Sequence, residues 1–155
     1  MESKRIHIID AVRDADALVD ILSSGAVVPI VVTGSSMVPF LKESRDTVYL
    51  QQSDATHRGQ IVFFRRPTGE FTLHRVRKIY SDGRLLINGD AQNWCEIIYR
   101  EQVLASVVSI VRNGRHIDPN SFIRSVLKTL WYPTRPIRPF IWKTYSLFRR
   151  LFTKH

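Results

Sequence analysis

Two side chains in this sequence have types and surroundings suited to nucleophilic chemistry: Ser36, within Gly34-Ser35-Ser36-Met37-Val38-Pro39, and His74, within Leu73-His74-Arg75-Val76. A serine hydroxyl is a weak nucleophile until a positioned base takes its proton, and imidazole is the side chain best poised to accept one near neutral pH. Gly34 permits an unusual backbone conformation just before Ser36, and Pro39 stiffens the chain just after it. Together they would present Ser36 on a tight turn after a strand, with backbone N–H groups pointing outward to receive a developing oxyanion. A serine turn by itself is a weak signal and a lone strand histidine is commonly structural; it is their joint occurrence that points to chemistry. Two carboxylates follow at a useful distance, Asp90 and Glu96, either of which could orient an imidazole and stabilise its protonated form. For Asp90 the plainer alternative is a turn-shaping carboxylate that accepts backbone N–H bonds.

The elements that must position these groups are mostly strands. The runs 27–32, 48–50, 60–64, 70–79, 84–88 and 103–112 are rich in β-branched and apolar residues and are separated by turn signals such as Arg66-Pro67-Thr68-Gly69, Ser81-Asp82-Gly83 and Asn113-Gly114. Pro29 suggests that the first of them lies at a sheet edge. Short strands joined by tight turns, without βαβ alternation, predict a mainly β fold: an antiparallel sheet or partly closed barrel with flanking helices. Ahead of the strands, Ala11, Ala15, Leu18 and Leu22 space an amphipathic helix over 9–24, with Gly25 as its stop, and its expected role is packing.

The length of 155 residues suits one domain with a real core, but the net charge of +9 is unevenly spread. Residues 1–118 carry 15 Lys/Arg against 14 Asp/Glu, whereas residues 119–155 carry 8 Lys/Arg and no acid. In that tail Phe122, Ile123, Val126, Leu127, Leu130 and Trp131 form one apolar stripe. After Pro133, Pro136 and Pro139, a second runs through Ile141, Tyr145, Phe148, Leu151 and Phe152. Apolar and aromatic residues opposite Lys/Arg suit an interfacial helix on an anionic membrane surface; the alternative is packing on the core with the cations facing water. The expected organisation is therefore an N-terminal helix packed on the core (1–26), a β catalytic domain (27–118) and a basic amphipathic helical tail (119–155).

Acidic residues interrupt the N-terminal region, so no secretory signal is expected, and the longest apolar run, Ala26 to Val32, is too short to span a bilayer. The single cysteine, Cys95, cannot pair internally and reads as an idle thiol. His57, His74, His116 and Cys95 lack ligand-like spacing, and there is no phosphate-binding glycine loop, so neither a metal nor another cofactor is expected. The chain is placed in the cytoplasm, either free or peripheral at the inner face of the membrane.

In order and spacing these blocks resemble the signal peptidase and LexA-like serine peptidase superfamily (S24/S26), over roughly residues 27–112. Gly34–Pro39 matches the nucleophile box, Arg45-Asp46-Thr47-Val48 the following Gly-Asp-x-Val box, Leu73–Val76 the base box, and Gly89-Asp90-Ala91-Gln92-Asn93 the Gly-Asp-Asn-like box. The His-Arg-Val context is most similar to the endoplasmic-reticulum and archaeal signal peptidases, which use histidine where bacterial signal peptidases and LexA-like repressors use lysine. The resemblance implies a Ser36–His74 enzyme, with the family's further carboxylate falling near Glu96 and Asp90 within the box itself. Three departures stand out. Arg45 replaces a glycine. Gly34 stands where bacterial enzymes place a serine oxyanion donor, which leaves backbone N–H groups, Ser35 or Thr33 for that role. No N-terminal membrane anchor is expected.

The leading expectation is a serine endopeptidase that cuts a leader- or signal-type peptide held in extended form beside an edge strand, with Gly34, Ser35, Met37 and Pro39 forming the oxyanion and substrate-binding segment. The alternative from another class is a non-catalytic peptide- or membrane-binding module on the same fold. A LexA-like repressor is not expected, since about 25 residues before the first strand are too few for a helix-turn-helix domain. No motif for reading a specific nucleic acid is present.

Overall fold

The computed structural model describes residues 15–53, 56–119, 121, 130–131 and 133–134. One helix, α1 (Ala15–Ser23), precedes eight strands: β1 (Val28–Val31), β2 (Asp46–Gln51), β3 (Ile61–Arg65), β4 (Phe71–Ile79), β5 (Leu85–Asn88), β6 (Glu96–Ile98), β7 (Val103–Arg112) and β8 (Arg115–Ile117). A 3-10 turn, Arg100–Gln102, links β6 to β7. All strand pairs are antiparallel, in the order β1-β2-β7-β3-β4-β5-β6, with β8 paired to β7. The mainly β antiparallel expectation holds, and the sheet is open rather than closed.

The alternation of the sequence explains most of this order. In β2 every second residue, Asp46, Val48 and Leu50, is buried, the pattern of a strand with one covered face. Among the described residues β1 pairs only with β2, and Pro29, which has no N–H to give, sits in that edge strand. β3 is different: Ile61, Val62, Phe63 and Phe64 are all buried, because β3 runs between β4 and β7 with both of its faces covered. Its odd residues join a first core cluster with Leu18, Leu22, Met37 and Leu41, and its even residues join a second with Val76, Leu85, Ile87 and Ile98. Leu18 and Leu22, one helical turn apart, seat α1 on the first cluster.

The helix expected over 9–24 is observed from Ala15; residues 9–14 lie outside the described residues. The six expected strand runs are all present, and the structure adds β6 and β8. β8 exists because Asn113 (φ 50°) and Gly114 (φ 74°) both take left-handed backbone, which turns β7 back on itself in a tight hairpin. Most of the basic tail lies outside the described residues.

Candidate active site

The serine sits in the loop between β1 and β2. Gly34 adopts φ 74°, a left-handed conformation in which a β-carbon is disfavoured, and turns the chain directly after the edge strand. Residues 36–40 then coil tightly, with Val38 N–H donating to Ser35 O (3.2 Å) and Leu41 N–H to Met37 O (2.9 Å). Met37 and Leu41 are buried in the first core cluster and pin the loop from beneath. Ser36 is half-buried, while Gly34, Ser35 and Pro39 are exposed. Of the segment expected to face a substrate, Met37 therefore offers only its backbone, because its side chain is spent in the core.

A second contact fixes the loop from the other side. Ala91 N–H donates to Ser36 O at 2.8 Å. Gly89, two residues earlier, lies so close that a β-carbon there would stand 2.7 Å from the same carbonyl oxygen. On the sheet Arg75 pairs with Asn88, so continuing the antiparallel register by one residue sets Gly89 opposite His74. Cross-strand partners share a face, so the Ser36 backbone lies over the side of the sheet on which His74 stands. The absent side chain of Gly89 is what lets the two approach.

His74 is fully buried on β4. Its ring packs against Phe64 (centroids 5.7 Å) and the edge of Trp94 (6.1 Å). Nδ1 faces Glu96 Oε1 at 2.8 Å, while Nε2 has no hydrogen-bond partner. Burial holds the imidazole pKa below its ordinary 6.5; the Glu96 carboxylate opposes that effect and the nearby Arg66 guanidinium assists it. His74 is thus kept neutral, the state a proton acceptor requires, with Nε2 unengaged.

The two carboxylates are separated by the fold. Glu96 is held by Arg66, Nε to Oε2 at 3.0 Å and Nη2 to Oε1 at 2.8 Å, and Oε1 is also the oxygen beside His74. Asp90 is completely buried and faces Arg75 (Nε to Oδ1 2.9 Å) and Arg77 (Nη2 to Oδ1 2.8 Å), so its charge reaches His74 only through space. Arg75 also donates to Gly59 O at 2.8 Å and lies over the Phe40 ring, which ties the serine loop, the β2–β3 connection and the Asp90 loop together. The tail reaches this loop too, since Trp131 Nε1–H donates to Asp90 O at 2.7 Å. Asp46 is buried beneath Arg112 and Arg45 and accepts from Lys42 N–H, so it braces the far end of the serine loop.

Comparison with protein families gives one decisive finding: the model of a family described as Peptidase S24-like matches residues 6–112. The chain belongs to the Peptidase S24-like family. Neither the curated proteins nor the solved structures compared with it gave a match. Membership in this family identifies a peptidase-type fold of the LexA-like superfamily, and the matched region covers the Ser36 loop, His74, Asp90 and Glu96.

Within this Peptidase S24-like domain, sequence reasoning missed Arg66, Trp94 and Arg75 as parts of the site. Arg66 was legible only as part of a turn, and its partner Glu96 is 30 residues away. Arg75 did carry a signal, being adjacent to His74 and hence on the opposite face of β4, where a buried guanidinium requires an acid. Among the described residues, no group of His, Cys, Asp and Glu could hold a metal ion, and no helix is long and apolar enough to cross a membrane.

Proposed function

We propose that this domain is a serine endopeptidase in which Ser36 is the nucleophile, His74 its general base and Glu96 the carboxylate that orients the imidazole. The observation that supports it best is the buried, neutral His74, flanked at Nδ1 by Glu96 and unengaged at Nε2, on the face of the sheet crossed by the Ser36 backbone. In this reading Ser36 Oγ bonds to the scissile carbonyl carbon while its proton passes to His74 Nε2. The C–N bond then breaks and Nε2 returns the proton to the departing amine, leaving an acyl-Ser36 ester. A water repeats the sequence and releases the acid. Glu96 faces the imidazolium that forms at each step and steadies it. Backbone N–H groups of the Gly34–Met37 turn carry the oxyanion. The use of histidine relates the site to the endoplasmic-reticulum and archaeal signal peptidases, and the outer edge of β1, which carries no further strand among the described residues and leads into the serine loop, suits an extended leader-type peptide added as a strand.

One observation favours a second reading, a peptide-binding module that does not cut. His74 makes no hydrogen bond to Ser36 in this structure. Catalytic contacts are often loose before substrate arrives and tighten in the bound complex. The two readings separate when candidate leader peptides are incubated with wild type, Ser36→Ala and His74→Ala and followed by mass spectrometry. Catalysis requires cleavage by wild type only, with the double variant scarcely worse than either single one, because groups that act as a unit are not additive. Cleavage that survives Ser36→Ala would remove the assignment.

A further inference from the structure

Arg66 is not needed to fold the β3–β4 turn by its side chain, since backbone bonds already close it: Arg66 N–H to Glu70 O and Gly69 N–H to Arg66 O, both 2.8 Å. These bonds fix its Cα. Its guanidinium is instead directed into the site. The group lies 5.9 Å from the ring centres of both Phe64 and Trp94, the same two rings that pack on His74. Nε and Nη2 grip both oxygens of Glu96, and Nη1 donates to the exposed Glu70 at 2.7 Å. A planar fork on a carboxylate fixes its orientation, which a single lysine ammonium would not do. The fork also directs which part of Glu96 is left over, because Oε1 keeps one lone pair after accepting from Nη2 and that oxygen faces His74 Nδ1.

We propose, on the basis of the Ser36–His74 reading, that Arg66 is a positioning residue for His74: its fork holds Glu96 so that Oε1 selects the Nδ1–H tautomer and leaves Nε2 as the basic nitrogen. The arrangement has a second consequence. Glu96 beside an imidazole would by itself favour the charged ring, yet its charge is shared with a cation attached to the same oxygen. The remaining acid near the ring, Asp90, is likewise matched by Arg75 and Arg77. The charged groups that act on His74 are therefore Glu96, Arg66 and the paired Asp90, while the Phe64 and Trp94 rings pack against it. Arg66 gives the base an oriented carboxylate without the rise in basicity that a lone carboxylate would bring. A neutral base then persists on the acid side of pH 6.5.

The test uses full-length protein carrying Ser36→Ala, with the imidazole nitrogens of His74 followed by 15N NMR across pH in three backgrounds: Arg66 intact, Arg66→Gln and Arg66→Lys. Arg66→Gln removes both charge and fork, and is expected to move the His74 titration to higher pH and to weaken the Nδ1–H tautomer. Arg66→Lys keeps the charge but loses the fork, so the titration should stay near the parent while the tautomer preference falls. Identical midpoints and tautomers in all three proteins would overturn the proposal. If Arg66→Gln does not fold, the tautomer in Arg66→Lys decides alone, and an unchanged tautomer overturns it. In the Ser36 protein, Arg66→Gln should lose more activity at about pH 5.5 than at about pH 8, as a rise in the pKa of the base would give. Shifts in the NMR experiment without cleavage of any peptide would uphold the clamp and remove the Ser36–His74 reading; cleavage with an unmoved His74 titration would do the reverse.

Discussion

Gly89→Ala is a one-carbon test of how the serine loop is placed. The added β-carbon would stand 2.7 Å from Ser36 O, and 2.6 Å from Gln92 Oε1, whereas ordinary contacts begin at 3.4 Å. Gln92 is a flexible side-chain end and can move aside. The Ser36 carbonyl belongs to the backbone, so the serine loop or the Gly89 strand must retreat by about 0.7 Å to restore ordinary contact. A retreat of that size would stretch the Ala91 N–H to Ser36 O bond from its 2.8 Å to the limit of a useful hydrogen bond. Loss of the bond costs about 1 kcal/mol and the crowding a further 1 kcal/mol or more, which together lower the melting temperature by roughly 5–10 °C. A displacement approaching 1 Å at the reacting atom costs on the order of tenfold to hundredfold in rate. Thermal unfolding reads the first effect, acylation of Ser36 by a fluorophosphonate probe the second, and amide exchange at Ala91 the broken bond. Wild-type melting together with wild-type acylation and unchanged Ala91 protection would refute the packing argument.

Two further outcomes follow from the charges. Because burial holds the His74 pKa below 6.5, activity should rise with pH through a midpoint below about pH 6.5 and stay flat above it, whereas a rise only in the alkaline range would contradict His74 as the base. The same depression means that stability from a neutral His74 is intact above about pH 6.5 and is lost as pH falls towards the folded-state value, a slope that His74→Phe should flatten in denaturant titrations. Burial by itself would raise the Asp46 pKa, but hydrogen bonds from Arg112, Arg45 and Lys42 N–H together hold it far below the ordinary carboxylate range, so it contributes stability that is intact above about pH 3.8 and is lost below it. Asp46→Asn should cost about 2 kcal/mol at neutral pH, less than for a wholly buried pair because both arginines are partly solvated, and should weaken the acid-induced slope; an unchanged urea midpoint would contradict this.

The parts of this site that were legible in the sequence are those with local causes. The turn around Ser36 follows from Gly34 and Pro39, the strands from alternation and β-branched runs, and the β1 edge from Pro29. β6 left no such trace: three residues are too few to show a period, and Cys95-Glu96-Ile97-Ile98 does not alternate cleanly. Arg66 was hidden for a related reason, since a charge in a turn is ordinarily solvated and only the folded chain brings Glu96 to it. Met37 shows the opposite case. Its place in the motif suggested contact with substrate, while its burial at 2 % exposure assigns the side chain to the core.

The choice between Asp90 and Glu96 was open in the sequence because both follow His74 at a suitable distance, and sheet parity separates them. Arg75 pairs with Asn88, so Asn88 shares the Arg75 face of the sheet, and Asp90, two residues on, remains in phase with it. Gly89 falls in phase with His74 and presents no side chain. On the next strand Glu96 pairs with Ile87, and Ile87 pairs with Val76, which is two residues from His74 and on the same face. Two successive cross-strand pairs therefore carry the His74 face across β5 to Glu96, while the same registers turn Asp90 towards Arg75. A one-residue shift of the β4–β5 register would exchange the two carboxylates, and one of the β5–β6 register would turn Glu96 alone away from His74. The assignment thus depends on the length of the β5–β6 connection as much as on the residues it contains. Glu96, at the start of a strand with its longer side chain 21 % exposed, can be gripped by Arg66 and still reach the imidazole; Asp90, shorter and sealed between guanidinium groups, is committed to holding the loop that carries Ala91 to the serine.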